Sequence, residues 1–298
     1  MKGGAAQLRA RLQADGVIAA PGIFDHVSLL LAEQAGFEAL YASGYWGTAS
    51  ALGEPDVGIA GAADFLRIFG GFAQRSTVPV IADGDTGFGS IASLAHAVRG
   101  YQRAGIAAMQ IEDQPFPKIC GHVGRAVSVP APEMVTRVKV AVEARDDGDM
   151  LIIARTDARR TEGLDACIER LAAYGEAGAD ILFLEAPAGS EEIARAAAAL
   201  DLPLMINAAQ GGANPVLSPQ QYADLGVKIV IYPSGAPLAA AQALRTFYGS
   251  LKAGNPAPED APLFDFAEIS RLLGMDDIIA LQDRHDLGRH GPGGHSDA

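Results

Sequence analysis

Four acidic residues have the types and spacing of a metal site. Asp83 and Asp85 flank one glycine directly after a short apolar run, Glu112 ends another such run, and Asp56 lies in an earlier loop. Carboxylate oxygens are the ligands that Mg²⁺ and Mn²⁺ prefer, and four clustered acids without a cation would repel one another. For an isolated Asp-x-Asp pair, helix capping and turn formation are the alternative. The cluster predicts a divalent metal, with Mg²⁺ expected and Mn²⁺ as the second choice.

The two cysteines have different surroundings. Cys120 lies between Lys118 and His122 and is followed by Gly121, a neighbourhood that can tune a thiol for proton transfer or nucleophilic attack. Cys167 lies on an amphipathic segment and is interpreted as an inert buried side chain. Two cysteines in 298 residues are too few for a disulfide framework, which indicates a reduced, cytoplasmic chain.

Arg155 ends a third apolar run, where a guanidinium would bind a carboxylate or stabilise developing negative charge. The alternative is a structural salt bridge to Glu112 or Glu185, and the two roles are compatible. Glu185 and Asn207 are suited to hold a bound carboxylate or hydroxyl, or to orient Arg155.

The charge balance restricts the partners. Lys plus Arg is 23 and Asp plus Glu is 36, a net charge of −13, and no basic run exceeds Arg159-Arg160. Nucleic-acid binding needs clustered cations and is therefore not expected. A small anionic substrate is compatible, because an arginine or a metal ion reverses the local field. The sequence has no apolar leader and no 18-residue apolar stretch, so we expect neither secretion nor a membrane span.

The apolar pattern predicts a parallel α/β fold. The chain is 298 residues long and 49% hydrophobic, which suits one large domain with an appendage. Short continuous apolar runs alternate with Ala-rich amphipathic segments, and eight of them can be counted. The runs are residues 17–20, 39–42, 78–82, 108–111, 151–154, 181–184, 204–206 and 229–232. Eight βα units in this length predict a (β/α)8 TIM-type barrel.

Two further regularities support the barrel. Polar residues follow the runs in register, as expected if a functional site lies at the carboxyl ends of the strands. They are Asp25, Ser43, Asp83 with Asp85, Glu112 with Asp113, Arg155, Glu185, Asn207 and Ser234. Glycines also end the helical pattern before every second run, where a left-handed residue would stop a helix. These glycines are Gly36, Gly105, Gly178 and Gly226.

The predicted organisation has three parts: a barrel over residues 1–253, a C-terminal helical arm over 254–284 and a disordered tail over 285–298. The arm carries apolar residues that need a cover, either a neighbouring subunit, with exchange of the arm, or the chain's own barrel. The tail contains three histidines, and metal binding is the less favoured interpretation of it.

Seven segments in order resemble the isocitrate lyase and phosphoenolpyruvate mutase superfamily over residues 8–250. Within it, the short lyase branch, with 2-methylisocitrate lyase, dimethylmalate lyase and oxaloacetate hydrolase, is most similar. The segments are Ala42-Ser43-Gly44, Leu52–Asp56, Asp83–Gly89, Ile111–Gln114, Lys118–His122, Ile153–Asp157 and Leu184–Pro187.

The resemblance implies a Mg²⁺ ion bound by Asp83 directly and by Asp56, Asp85 and Glu112 through water. It also implies that the ion chelates a 2-oxo carboxylate. That carboxylate is expected to rest on the backbone at three consecutive residues. They are Ser43, Gly44 and Tyr45.

The resemblance further implies retro-aldol cleavage of a C–C bond in a 2-hydroxy di- or tricarboxylate, with release of a 2-oxo acid such as pyruvate. Cys120 would protonate the departing fragment and Arg155 would stabilise its charge. The remaining expected site residues are His122, Glu185 and Asn207 for the second carboxylate, Gly121 for substrate binding, Lys118 in catalysis and Tyr41 for the hydroxyl proton.

Three departures from the family pattern put a tricarboxylate substrate in doubt: the bulky pair Tyr45-Trp46, Ile119 where a cation is usual, and Gln210 where many relatives have Glu. Hydrolysis or decarboxylation of oxaloacetate is the alternative reaction, and a catalytically silent carboxylate sensor is the alternative outside enzymes. Family resemblance also suggests a homotetramer.

Overall fold

The computed structural model describes residues 3–118, 127–145, 149–209, 216–259 and 262–285. The chain forms two compact units, Met1–Ala240 and Ala241–Ala298. The division between them lies inside a helix, Gly235–Lys252, that ends one residue before the predicted barrel boundary at 253.

Eight parallel strands in chain order form a closed barrel in the first unit. The strands are β1 (Ile18–Ile23), β2 (Leu40–Ala42), β3 (Val80–Asp83), β4 (Ala108–Glu112), β5 (Leu151–Thr156), β6 (Ile181–Leu184), β7 (Leu204–Asn207) and β8 (Ile229–Tyr232). The barrel closes where β1 pairs with β8, with Ile18 opposite Ile229. All residues of β2 to β7 are buried, as expected for strands covered on both faces. The predicted (β/α)8 fold is confirmed.

The helices that accompany the strands are α1 (Gly4–Gln13), α2 (His26–Gln34), α3 (Gly44–Leu52), α4 (Ala62–Arg75), α5 (Ile91–Ala104), α6 (Ala131–Ala144), α7 (Arg159–Glu176), α8 (Ser190–Ala199), α9 (Pro219–Asp224) and α10 (Gly235–Lys252). Helices α2 to α9 lie between successive strands, while α1 precedes β1 and α10 follows β8. All four glycines predicted to stop a helix have φ between 85° and 105°, which confirms that prediction. Asp25 caps α2 through a hydrogen bond from the backbone of Ser28, so it has a structural role.

The second unit contains the end of α10 and two short helices, α11 (Phe266–Leu272) and α12 (Met275–Arg284). Its apolar side chains are strongly exposed, with Phe266 at 84% and Leu263 at 68%. The exchange of this arm between subunits stays a prediction, and residues 286–298 of the predicted tail lie outside the described residues. No helix in the described ranges is long and apolar enough to cross a membrane.

Barrel closure depends on a glycine in β1. A Cβ atom at Gly22 would lie 2.2 Å from the carbonyl oxygen of Pro233, directly after β8. Because that neighbour is backbone, Gly22→Ala must separate β1 from β8, and we expect a loss of about 2–3 kcal/mol in unfolding free energy. Denaturant unfolding followed by circular dichroism measures it.

Gly249→Ala is the control. Gly249 lies in α10 with nothing within 4 Å of its added Cβ, so alanine there should leave stability unchanged or raise it. An unchanged unfolding midpoint in Gly22→Ala would contradict the close approach of the two strands.

Candidate active site

The backbone after β3 holds the Asp83-Gly84-Asp85 segment rigidly beside β4. Gly84 donates its N–H to the carbonyl of Gln110 at 2.8 Å, and Glu112 donates to the carbonyl of Asp85 at 2.9 Å. Asp85 adopts a left-handed conformation, with φ of 48°. The pairing therefore continues past the end of β3 and brings both aspartates to the barrel end where Glu112 completes β4.

Asp83 is surrounded by hydrogen-bond donors. Its Oδ2 accepts from the backbone of Gly44 at 3.1 Å, and its Oδ1 accepts from the backbone of Asp85 at 3.0 Å. A Cβ atom at Gly44 would lie 2.9 Å from Oδ2 of Asp83, so this contact needs a glycine. The helix-capping alternative does not apply to this pair, because Ser90 caps α5.

A buried ammonium lies among the acids. Nζ of Lys118 is 2.7 Å from Oδ2 of Asp56 and 2.6 Å from Oδ1 of Asp85. Burial raises the pKa of Asp85 to about 7 although Lys118 opposes it, and burial likewise raises the pKa of Asp56. For Lys118 itself burial lowers the pKa, but the surrounding carboxylates, Asp85 foremost, hold it well above its usual value.

Glu112 is the acid with the fewest partners. Its Oε1 is buried and has no hydrogen-bond partner within the described residues, while its Oε2 lies 3.5 Å from Nε of Arg155. Burial raises the pKa of Glu112 well above its usual value, although Arg155 and Lys118 oppose the shift. A buried carboxylate oxygen without a donor is suited to face a cation or its water shell.

The acids fit a magnesium ion that keeps most of its waters. In the described ranges, no three side chains of His, Cys, Asp or Glu converge closely enough to ligate one ion together. Mg²⁺ usually takes only one or two protein carboxylates and retains several waters. The arrangement therefore suits one direct ligand with the other acids bound through water, as the resemblance implies.

Arg155 is clamped on one edge. Its Nε and Nη2 donate to the two carboxylate oxygens of Asp157 at 2.9 and 2.7 Å, and the guanidinium lies 5.1 Å from the ring centre of Phe183. Both predicted partners, Glu112 and Glu185, are farther away at 3.5 Å. Arg155 therefore does form salt bridges, as the alternative interpretation predicts, but its main partner is Asp157, which was not predicted.

Asp113 was also missed, although it stands in one of the quoted motifs. Its side chain is fully buried and accepts from Thr156 Oγ1 at 2.6 Å, Tyr174 Oη at 2.9 Å, the backbone of Asp157 at 2.9 Å and Ser128 Oγ at 3.1 Å. The only sequence signal was its position directly after a strand. Asp113 joins the ends of β4 and β5, and through them it positions Arg155.

The other predicted site residues lie at the same end of the barrel or just inside it. Tyr41 donates to Oε1 of Gln110 at 2.9 Å, and burial raises its pKa well above the usual value, which disfavours it as a proton acceptor. Asn207, at the end of β7, donates to Oε2 of Glu185 at 3.2 Å. Both roles assigned from the resemblance stay predictions.

The segment after β2 starts a helix at the mouth. Ser43 is the N-cap of α3, and the first hydrogen bond inside the helix runs from Gly47 to Ser43. The indole of Trp46 donates to Ser234 Oγ at 3.2 Å, which connects the ends of β2 and β8. The rings of Tyr45 and Trp46 pack edge to face at 5.0 Å. The bulky pair Tyr45-Trp46 therefore forms a fixed part of the surface at this end of the barrel.

Three predicted residues, Cys120, Gly121 and His122, lie outside the described residues, as does Gln210. Their predicted roles rest on the sequence alone. Cys167 is fully buried, and burial raises its pKa to about 12. Its interpretation as an inert side chain is consistent with that environment.

Comparison with known proteins identifies the family. The phosphoenolpyruvate phosphomutase family model matches residues 8–251, most of the chain. The chain belongs to the phosphoenolpyruvate mutase/isocitrate lyase superfamily. The predicted resemblance is therefore confirmed.

Members of this superfamily with established names are similar over most of their length. A 2,3-dimethylmalate lyase from Eubacterium barkeri is 38% identical over 96% of this chain and 99% of its own. A 2-methylisocitrate lyase from Aeropyrum pernix is 42% identical over 83% of this chain and 76% of its own. The solved oxaloacetate acetylhydrolase with 3,3-difluorooxalacetate has a TM-score of 0.90 at 33% identity, covering 95% of this chain and 97% of that chain. Another superfamily structure, phosphonopyruvate hydrolase, was solved with oxalate and Mg²⁺. It has a TM-score of 0.84 at 31% identity, covering 94% of this chain and 98% of that chain.

The environment of Cys167 predicts that its thiol is unreactive in the folded protein. With a pKa of about 12, on the order of one thiol in ten thousand is ionised at pH 8, and the side chain is fully buried. In a Cys120→Ser variant, iodoacetamide at pH 8 should leave Cys167 unmodified by peptide mass mapping. The same protein in guanidinium chloride should be labelled completely, and rapid labelling without denaturant would contradict the buried position.

Proposed function

We propose that this protein is a Mg²⁺-dependent carbon–carbon lyase that cleaves a small 2-hydroxy di- or tricarboxylate to a 2-oxo acid, such as pyruvate, and a second carboxylate. The observation that carries the proposal is that acidic residues and a buried arginine lie side by side at one end of the barrel. An acidic cluster suited to a divalent cation lies next to a clamped, buried arginine. The relatives named as dimethylmalate and methylisocitrate lyases support this reaction class.

The acidic cluster would hold the ion, with Asp83 as the direct ligand and Asp56, Asp85 and Glu112 binding through water. A bound Mg²⁺ supplies Lewis-acid polarisation of a chelated oxygen and orients the substrate. Asp83 is prepared for this role because backbone donors from Gly44 and Asp85 already fix both of its oxygens. Its orientation therefore does not depend on the ligand.

The amino end of α3 would bind the substrate carboxylate. The first N–H groups of a helix lack intrahelical partners and attract anions. In α3 the N–H of Gly44 is donated to Asp83, and those of Tyr45 and Trp46 have no acceptor among the described residues, so they would bind the carboxylate. This assignment moves the predicted Ser43-Gly44-Tyr45 contact toward the second and third residues of the helix.

The departing fragment would lie toward Arg155, whose charge stabilises a developing enolate-like carboxylate. Cys120 would donate the proton to that fragment, and His122 and Asn207 would bind its carboxylate, with Glu185 orienting the Asn207 amide. Lys118, held by Asp56 and Asp85, would supply a compact positive charge beside the acids.

Hydrolysis of oxaloacetate is the second candidate. The similarity to oxaloacetate acetylhydrolase, with a TM-score of 0.90, favours it as the alternative. In both reactions the acidic cluster would hold the ion that chelates a 2-oxo or 2-hydroxy carboxylate, and the two reactions differ in whether water enters the products. A homotetrameric assembly and a cytoplasmic location complete the proposal.

The activity is tested with a substrate panel. We expect release of pyruvate or another 2-oxo acid from at least one substituted malate or from methylisocitrate when Mg²⁺ is present, and loss of turnover with a chelator. Coupled lactate dehydrogenase and mass spectrometry measure the products. Oxalate and acetate from oxaloacetate would select the hydrolase instead, and folded, Mg²⁺-loaded protein without any product would contradict both.

The two cysteines allow a matched test of the proton donor. Cys120→Ser should lower kcat by about 10²–10⁴-fold, because a serine hydroxyl is a much weaker acid than a thiol. Its affinity for Mg²⁺, measured by calorimetry, should not change. Cys167→Ser makes the same substitution at the buried cysteine and should keep nearly full turnover. Equal turnover in wild type and Cys120→Ser would reject the assigned role.

A further inference from the structure

The two edges of the Arg155 guanidinium have different surroundings. The edge formed by Nε and Nη2 is taken up by both oxygens of Asp157. Within the described part of the chain, Nη1 makes no hydrogen bond. A bidentate pair fixes the plane of a guanidinium, because two parallel hydrogen bonds allow little rotation. The free edge therefore points in one fixed direction.

Two other acids compete for the same cation. Glu112 lies 3.5 Å from Nε and Glu185 lies 3.5 Å from Nη2, both beyond a good hydrogen bond. Both are buried, with 2% and 3% exposure, so each attracts Arg155 strongly when it is ionised. Without Asp157, the guanidinium would turn toward one of them.

The backbone of Asp157 is held in place by Asp113. Its backbone N–H donates to Asp113 at 2.9 Å, and the neighbouring Thr156 hydroxyl donates to the other Asp113 oxygen at 2.6 Å. The Asp157 side chain is 1% exposed, and the hydrogen bonds that its carboxylate makes in the described ranges go to Arg155 alone. The Asp157 side chain thus acts on its surroundings through Arg155.

We propose that Asp157 is a positioning residue that directs the free edge of Arg155 toward the substrate carboxylate and keeps it away from Glu112 and Glu185. The inference rests on the proposed function, since it assigns Arg155 to the substrate. The inference identifies Asp157 as a residue that determines affinity for the substrate carboxylate without binding the metal.

The test replaces Asp157 by asparagine, which keeps the shape and removes the charge. We expect affinity for 3,3-difluorooxaloacetate, titrated calorimetrically with Mg²⁺, to fall about tenfold. With a turned-over substrate, kcat/KM should fall about 10²-fold, as for a catalytic group misplaced by about 1 Å. Affinity for Mg²⁺ alone should not change.

A matched control separates positioning from stability. Asp180 also pairs with a partly buried arginine, at 2.5 Å from Nη1 of Arg145, but it precedes β6 and so lies at the opposite end of the barrel. Asp180→Asn should lower the unfolding midpoint and leave inhibitor affinity within twofold of wild type.

A double-mutant cycle with Arg155→Lys tests the route of action. If Asp157 acts through the guanidinium, Asp157→Asn should weaken inhibitor binding in the wild-type background and have no further effect in Arg155→Lys. Additive losses, or unchanged binding in Asp157→Asn, would overturn the proposal. The binding measurements need no turnover, so a protein without lyase activity would refute the proposed function while this cycle still decides the role of Asp157.

Discussion

The structure is organised around a shortage of positive charge at one end of the barrel. Among the described residues of this region, six buried carboxylates lie around two buried cations, while a seventh, Asp113, is paired with Arg170. The six acids are Asp56, Asp83, Asp85, Glu112, Asp157 and Glu185, and the cations are Lys118 and Arg155. Buried charges are costly unless they are paired or coordinate a metal. The excess is therefore stable only with protonation of some acids or with a bound cation. Burial raises the pKa of Asp85 and of Glu112, which favours their protonated forms although Lys118 opposes both shifts.

The barrel resists this repulsion with backbone groups. Except for Asp56, which follows α3, each acid lies at the end of a buried strand or just after it, so apolar burial inside the barrel fixes where these charges lie. Backbone donors then orient them, as Gly44 and Asp85 do for Asp83. The close approach of Gly44 shows why small residues accompany the acids, since a Cβ atom there would contact the Asp83 carboxylate.

The strands and the polar residues that follow them could be predicted from the sequence, because strands buried on both faces are continuous apolar runs. The runs at 181–184 and 229–232 coincide with β6 and β8, and the polar residues after the runs lie at one barrel end. Pairings between side chains left no such signal. Asp157 and Asp113 stand in recognisable motifs, but the sequence does not show that the Asp157 side chain turns back onto Arg155, two residues before it. Only the pairing of β4 with β5 shows that Asp113 joins two strand ends. The Trp46–Ser234 bond, 188 residues apart, has no local pattern at all.

The two cations are suited to different tasks by their chemistry and their attachment. Lys118 lies on the loop after β4 and presents a compact charge with three rotatable donors, which neutralises Asp56 and Asp85 without fixing a direction. Arg155 lies in β5, and its planar fork is locked on one edge by Asp157. Arg155 can therefore donate hydrogen bonds in a fixed direction, which suits recognition of a planar carboxylate. The lysine on the loop compensates the charge of Asp56 and Asp85. In the proposed function, the metal would bind on the side of these acids and the substrate carboxylate on the side of Arg155.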